Sequence, residues 1–260
     1  MPELPDVEIF RQYLDSTSLH QQVQKVVFLN RDILWRISPA KFRSILDGKQ
    51  FQGSARHGKY AFAGLDGNGY LGFHFGMSGS LKYFKAGDEI PVHTRMLIRF
   101  VNGYYLAYVS VRKLGKLFIA KDVGTFIGEQ QLGPDALAID TRAFQSIFQN
   151  RRGSVKTALM NQQVLAGLGN IYTDEILFQS GIHPTRKCSQ VSGKEWKLVH
   201  HTMRTVLNAA IKKRAQPERF PASYLTSHRN AGEDCPRCGT QLEIMKVGGR
   251  TTYFCPNDQH

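Results

Sequence analysis

A chain of 260 residues is long enough to fold into two domains, each with its own hydrophobic core. The hydrophobic fraction of 42% fits a globular protein, and we find neither an apolar run near the ~20 residues of a membrane span nor a charged-then-apolar leader, so we expect a soluble, cytoplasmic protein. The net charge of +13 favours a polyanionic partner, most often nucleic acid, over a protein that merely happens to be basic.

The first ten residues, MPELPDVEIF, predict a helix from Asp6 to about Leu19. Pro5 suits the first turn of a helix, where its missing N–H costs nothing, and the acidic Asp6 complements the positive end of the helix dipole. This reasoning leaves Pro2 and Glu3 without a structural role. Their presence has to be explained by the rest of the chain.

Residues 23–120 consist mainly of short segments rich in β-branched and aromatic side chains, bounded by Gly, Asn or Asp, which predicts strands. An Asn-Gly pair at 102–103 separates two of them, a strong signal for a hairpin. Strands at this spacing predict an antiparallel β-sandwich or barrel. The predicted strands are Val23–Leu29, Tyr60–Leu65, Tyr70–Phe75, Met96–Val101 and Tyr104–Val109.

The pattern changes around residues 122–140, where Gly and Pro residues predict a linker. Beyond this linker the chain reads as helical, with no strand between the helices. The predicted helices are Thr141–Gln149, Val155–Asn161, Tyr172–Gln179 and Lys194–Arg214.

The sequence AGLGN forms the predicted turn of a helix–turn–helix pair, with the Asn170 side chain capping the second helix. Backbone N–H groups at such a helix start can bind an anion, and Arg151, Arg152 and Lys156 precede the turn. A pair of this kind is equally common as a purely structural element. The overall charge favours DNA binding.

Four cysteines in an intracellular chain favour metal binding or free thiols over disulfides. Cys235 and Cys238 form a C-x2-C knuckle, and sixteen residues, enough for a β-hairpin turning at Gly248–Gly249, separate Cys238 from Cys255. The three thiolates predict one structural zinc ion. Cys188 has no partner at ligand spacing and is interpreted as a small, buried apolar residue.

A tetrahedral zinc site needs a fourth ligand. His260, at C-x4-H spacing from Cys255, is the first candidate, and Asp258 is the alternative. A broken knuckle that holds zinc weakly or not at all is the remaining possibility. Arg250, at the tip of the predicted hairpin, could fork onto a phosphate or could simply be a solvated surface arginine.

Six motifs, in the same order, resemble the formamidopyrimidine-DNA glycosylase and endonuclease VIII family of base-excision repair enzymes. The opening MPELP rather than MPEGP is closer to the formamidopyrimidine branch. The motifs cover the whole chain: MPELPDVE at the start, RHGKY at 56–60, HFGMSGSL at 74–81, LGPDAL at 132–137, GLGNIYTDE at 167–175 and GGRTTYFC at 248–255.

The resemblance implies an α+β fold: an N-terminal antiparallel β-sandwich with a leading helix (1–130), a helix-two-turn-helix DNA-binding domain (131–230) and a terminal zinc-binding β-hairpin (231–260). It implies a protein that acts on double-stranded DNA with oxidised bases or abasic sites. Nothing in the sequence suggests an obligate oligomer, so we expect a monomer. The implied reaction removes an oxidised base and then cuts the strand by β,δ-elimination.

The resemblance also gives Pro2 and Glu3 a role in chemistry. Removal of Met1 would leave Pro2 with a free secondary amine, which can attack sugar C1′ and form an iminium. Because α-amino groups titrate near ~7.7–8.0, the neutral, attacking form would be populated. Glu3 would shuttle protons between the sugar ring, the leaving base and the amine. Without chemistry, the two residues would only be an entry to the first helix.

Other roles follow from the resemblance alone. Lys59 would serve in β-elimination and touch phosphate, and Arg250 would contact phosphate and assist δ-elimination. Met77 would fill the gap left by the extruded base, and Glu175 would support the active-site region. The residues implied to hold the DNA backbone are His93, Arg112, Arg151 and Asn170.

Two departures leave the preferred lesion and the opposing base open. Leu114, in SVRKLG, replaces the aromatic residue that the formamidopyrimidine branch inserts opposite the lesion. The segment 214–235 is shorter than the stretch that holds a lesion-covering loop in that branch. A non-catalytic DNA-damage-binding protein is the alternative function, and a zinc-ribbon RNA-binding or transcription-associated protein is a third.

Overall fold

A computed structural model describes all 260 residues and divides them into two compact units. The first unit contains residues 1–2 and 6–131, and the second contains residues 3–5 and 132–260. None of the helices combines the length and apolar character needed to cross a membrane.

The first unit is a pair of four-stranded antiparallel sheets, with strand orders β1-β6-β7-β5 and β2-β3-β4-β8. The predicted antiparallel sandwich with a leading helix is thereby confirmed. Its elements are α1 (Leu4–Thr17), β1 (Val23–Phe28), α2 (Pro39–Leu46), β2 (Phe51–His57), β3 (Tyr60–Leu65), β4 (Tyr70–His74), β5 (Gly79–Lys85), β6 (Thr94–Phe100), β7 (Tyr104–Ser110), β8 (Lys116–Ala120) and α3 (Val123–Glu129).

Aromatic side chains from both sheets form the core of this unit. Phe51 and Phe100, from different sheets, pack edge to face with ring centroids 5.9 Å apart, and both are fully buried. Tyr108 donates its buried hydroxyl to the carbonyl oxygen of His74 at 2.9 Å, which satisfies a polar atom in the core.

The predicted linker at 122–140 is wrong in part, because residues 123–129 form α3. The two glycines of VGTFIGE argue against a helix, but Asp122 caps it by accepting from the Thr125 N–H, and the Phe126 ring stacks on Phe118 at 4.5 Å. Tertiary packing therefore overrides a weak local propensity. Strands β2, β5 and β8 and helix α2 were also not predicted.

The second unit is helical apart from one terminal hairpin. Its helices pack around Phe144, Phe148 and Trp196, and Cys188 is fully buried in this core, as predicted. The elements are α4 (Thr141–Phe148), α5 (Val155–Met160), α6 (Asn170–Gln179), α7 (Gly193–Lys212), β9 (Glu243–Val247) and β10 (Arg250–Phe254), with single 3-10 turns at Cys188–Gln190, Pro217–Arg219 and Leu225–His228.

His74 gives the first unit a pH-dependent stability. Burial, and secondarily the charge of Lys59, lowers the pKa of His74 to about 4. Because an unfolded histidine titrates near ~6.5, the neutral ring's contribution is complete above that pH and is lost as the pH falls towards 4. We expect the melting temperature of the wild type to fall more between about pH 7 and about pH 4.5 than that of His74→Phe, which keeps a ring but cannot titrate. Equal falls would contradict this assignment.

Candidate active site and metal centre

The Glu3 side chain caps helix α6. It is 1% exposed, and its carboxylate accepts the N–H groups of Gly169 at 2.7 Å, Ile171 at 2.9 Å and Tyr172 at 3.4 Å. The cap residue of α6 is Gly169, which has no side chain to cap with. A residue 166 positions earlier therefore supplies the negative charge that the helix start favours.

Two glycines of the turn make room for this contact. A Cβ on Gly169 would collide with the Glu3 carboxylate, and one on Gly167 would collide with the Leu4 side chain. Gly167 also has φ +121°, a backbone conformation that residues with a side chain rarely adopt. Its carbonyl accepts the Leu4 N–H at 3.1 Å. The GLGN sequence is thus shaped to bind residues 3 and 4.

Pro2 is half-buried and directly precedes Glu3, whereas Met1 is 46% exposed. The peptide bond to Glu3 ties the position of the Pro2 nitrogen to the capped carboxylate. This places a potential nucleophile and a potential proton donor next to each other on a restrained segment.

Lys59 lies in the two-residue turn between β2 and β3 and is half-buried. The preceding residue, Gly58, has φ +54°, so a glycine suits this tight turn. A lysine on a short hairpin turn has far less positional freedom than one on a long loop.

Met77 and Leu114 stand on two neighbouring turns of the first unit. They are 39% and 50% exposed. The two turns are joined, because the Arg112 N–H donates to Ser78 Oγ at 3.0 Å and a Cβ on Gly76 would collide with the Leu114 main chain. Both apolar side chains are therefore presented from one connected support.

The predicted DNA-backbone residues are spread over both units. His93 and Arg112 are exposed in the first unit, and His93 adopts a left-handed φ of 63°. In the second unit Arg151 is exposed, with its Nε donating to the Ile147 carbonyl at 2.7 Å. Arg250 is exposed at the start of β10, next to the hairpin turn.

The predicted capping role of Asn170 is wrong. Gly169 is the cap residue, and the Asn170 Nδ2 instead donates at 2.9 Å to a main-chain carbonyl of β10. The cap comes from Glu3, a partner that no local sequence pattern could reveal.

The environment of Lys156 also differs from the one that the sequence indicated. It is fully buried rather than available to an anion, with Nζ 2.5 Å from Asp174 Oδ1 and hydrogen-bonded to Thr252 Oγ1 at 2.6 Å. Arg229 pairs with the other Asp174 oxygen at 2.9 Å. The only sequence signal was a lysine within the otherwise largely apolar helix VKTALM.

Glu175 is fully buried and fixes the short segment that follows α7. Its carboxylate accepts the N–H of Thr226 at 2.7 Å, the Thr226 hydroxyl at 2.6 Å and the Gln179 amide at 2.7 Å. Burial raises the pKa of Glu175, while these hydrogen bonds act in the opposite direction. The side chain thus anchors the 3-10 turn at Leu225–His228.

Three cysteines and one aspartate form a metal-binding cluster in the terminal hairpin. The Sγ atoms of Cys235, Cys238 and Cys255 and a carboxylate oxygen of Asp258 all lie within 4.8 Å of one another. No disulfide joins the cysteines. Thiolate and carboxylate donors in this number suit one tetrahedral, structural Zn2+ with no open coordination position. The predicted hairpin turn at Gly248–Gly249 is confirmed.

His260, the first candidate for the fourth ligand, lies outside this cluster. Its N–H donates to the Gly181 carbonyl at 3.0 Å, and its carbonyl accepts the His183 N–H at 2.9 Å. These bonds carry the last residue away from the thiols, while Asp258 Oδ2 lies 3.2 Å from Cys235 Sγ. The structure therefore favours Asp258, the alternative ligand.

Comparisons with known proteins cover nearly the whole chain. Residues 1–117 match the model of the formamidopyrimidine-DNA glycosylase N-terminal domain, residues 132–220 that of the formamidopyrimidine-DNA glycosylase H2TH domain, and residues 232–260 that of a zinc finger found in FPG and IleRS. A formamidopyrimidine-DNA glycosylase of Synechocystis is 34% identical over 285 residues, covering 100% of this chain and 98% of the relative.

The chain belongs to the formamidopyrimidine-DNA glycosylase family. A relative from Vibrio parahaemolyticus is 33% identical, covering 98% of each chain. Among solved structures of the family, Lactococcus lactis Fpg in complex with abasic-site DNA matches with a TM-score of 0.90 at 28% identity, covering 99% of both chains. The same protein in complex with Fapy-dG-containing DNA matches with a TM-score of 0.90 at 27% identity, covering 99% of both chains. The family predicted from the sequence is thus confirmed.

The metal cluster generates a direct test. Losing even an outer-shell partner costs about 10- to 100-fold in metal affinity, so Asp258→Ala should lose at least that much zinc affinity. His260→Ala is the matched control and should keep the wild-type zinc content by atomic absorption. Full zinc retention in Asp258→Ala, or equal losses in both variants, would contradict the assignment of Asp258.

Proposed function

We propose that this chain is a bifunctional DNA glycosylase and abasic-site lyase of base-excision repair. It acts on double-stranded DNA that contains oxidised bases or abasic sites. The observation that carries this proposal is the capped Glu3, which holds the Pro2–Glu3 segment in a fixed position. Membership of the family, and the abasic-site and Fapy-dG DNA bound by the Lactococcus lactis relative, support the choice of substrate.

The first step makes a covalent bond between enzyme and sugar. With Met1 removed, the neutral Pro2 nitrogen attacks C1′, and the bond between C1′ and the damaged base breaks. Glu3 supplies a proton, and the base leaves with the electron pair of the broken bond. The C1′–O4′ bond then breaks as the proton released from the Pro2 nitrogen passes to O4′, which opens the sugar ring and leaves an iminium between Pro2 and C1′.

Strand scission follows from this iminium in two eliminations. Loss of the C2′ proton expels the 3′ phosphate by breaking the C3′–O3′ bond, a step assigned to Lys59. Loss of the C4′ proton then breaks the C5′–O5′ bond, with Arg250 bound to the departing phosphate. Water hydrolyses the remaining iminium and frees the Pro2 amine.

Chemistry on a base requires the base to leave the stack, which costs a few kcal/mol. Exposed apolar Met77 is suited to fill the gap. The proposed phosphate contacts are His93, Arg112, Arg151 and Asn170. Each neutralised phosphate should make binding more dependent on salt.

The domain assignment belongs to the same proposal: a catalytic sandwich at 1–130, a DNA-binding helical domain at 131–230 and a zinc-binding hairpin at 231–260. The zinc is structural, because three cysteines and Asp258 leave it no open coordination position. We place the protein in the cytoplasm, where its DNA substrate would lie in the nucleoid of a bacterial cell. The residues agree less well with a non-catalytic DNA-damage-binding protein, since Pro2, Glu3, Lys59 and Arg250 are all present.

Glu3→Gln separates base removal from the lyase step. The amide keeps an oxygen that can accept from α6 but cannot donate the acid proton, so single-turnover base excision should fall by about 10²- to 10⁴-fold. Borohydride trapping on a preformed abasic site should persist, because no base remains to be protonated. The control is Glu129→Gln, which changes an exposed acid on α3. Wild-type excision by Glu3→Gln would contradict the assigned role.

A further inference from the structure

We propose that Thr252 is a positioning residue for Arg250, held in turn by the buried Lys156–Asp174 pair. This inference rests on the proposed function, because it concerns the δ-elimination assigned to Arg250. Its subject is a set of buried groups that the reaction scheme does not use.

The Thr252 hydroxyl connects the buried lysine to the Arg250 main chain. The residue is fully buried, and its Oγ1 accepts from Lys156 Nζ at 2.6 Å while donating to the Arg250 carbonyl oxygen at 3.2 Å. One hydroxyl thus has both a donor and an acceptor partner, which fixes its rotamer. The second of these partners is the main chain of the arginine itself.

Asp174 fixes the lysine and the next hairpin residue together. One carboxylate oxygen lies 2.5 Å from Lys156 Nζ, and the other accepts from Arg229 at 2.9 Å and from the Tyr253 N–H at 3.3 Å. Burial favours the neutral form of each group, lowering the pKa of Lys156 and raising that of Asp174, while the opposite charge of the partner counteracts it. The 2.5 Å contact places the lysine directly against the carboxylate.

This ion-pair arrangement joins β10 to α5 and α6 at a cost in stability. A buried ion pair contributes little net stability compared with well-packed apolar side chains of similar volume. Directional bonds to Thr252 and Tyr253, however, define where β10 lies relative to α5 and α6, which apolar packing does less sharply. We interpret the ionic network as fixing the position of β10 rather than as adding stability.

The hairpin needs such a device at its tip. Gly248 and Gly249 have φ values of +57° and +73°, so a tight two-residue turn without side chains of its own precedes Arg250. The metal cluster holds the far end of β10 through Cys255. Thr252 lies between the two, and its buried hydroxyl bonds directly to the Arg250 main chain. Without its hydroxyl, the Arg250 main chain would lose a fixed bond, and the guanidinium would reach the phosphate less often.

The experiment measures how the wild type and variants divide an abasic-site duplex between β- and δ-elimination products. Thr252→Val is nearly isosteric and removes only the hydroxyl, so we expect the δ-to-β product ratio to fall about fivefold, the effect of one lost hydrogen bond. Borohydride trapping at Pro2 should stay at the wild-type rate. Thr252→Ser, which keeps the hydroxyl, should restore the ratio. The matched control is Thr251→Val, an exposed threonine on the same strand.

Each outcome separates this inference from the proposed function. A wild-type ratio in folded Thr252→Val, with normal trapping, would overturn the role of Thr252 alone. A wild-type protein that traps no abasic site would contradict the proposed function itself. Should Thr252→Val fail to fold, Thr252→Ala and Thr252→Ser make the same comparison, because both lack the methyl group and only one has the hydroxyl. Equal ratios in that pair would also overturn the inference.

Discussion

The structure depends on one long-range helix cap, the Glu3 carboxylate on the first turn of α6. Helix α6 begins after a glycine, so it has free N–H groups and no local side chain to satisfy them. Glu3 binds three of them and is itself buried, which a carboxylate tolerates only when it is hydrogen-bonded. A cap of this kind stabilises a helix by about 1 kcal/mol. The same contact holds the residue that directly follows Pro2, the proposed nucleophile.

The hairpin at the other end of the chain is fixed in two ways. Three thiols and Asp258 lie close enough together at one end to hold a metal ion, and buried Lys156 and Asp174 bind β10 near its middle. Both devices use ionic groups whose geometry is directional. Helix α6 takes part in both the Glu3 cap and the hairpin contact, since its start binds Glu3 and its Asp174 binds the hairpin. Within this unit, a single helix therefore contacts both Glu3 and the hairpin that carries Arg250.

Local patterns predicted much of this arrangement from sequence. Strand β3 and the hairpin turn at Gly248–Gly249 were predicted because residue composition and turn residues are local signals. Asn170 was wrongly predicted as a cap, because the true cap comes from the opposite end of the sequence. Lys156 looked like a surface cation, since nothing nearby reveals that Asp174 and Thr252 meet it. His260 had suitable spacing, but spacing does not show that its main chain pairs with Gly181.

The central claim is that the segment fixed by the Glu3 cap carries the nucleophile. Peptide mapping of the borohydride-reduced complex with abasic-site DNA tests it most directly. The account predicts that mass spectrometry finds the sugar on an N-terminal peptide that begins at Pro2 and lacks Met1. An adduct on Lys59 or any other lysine, with Pro2 unmodified, would contradict it.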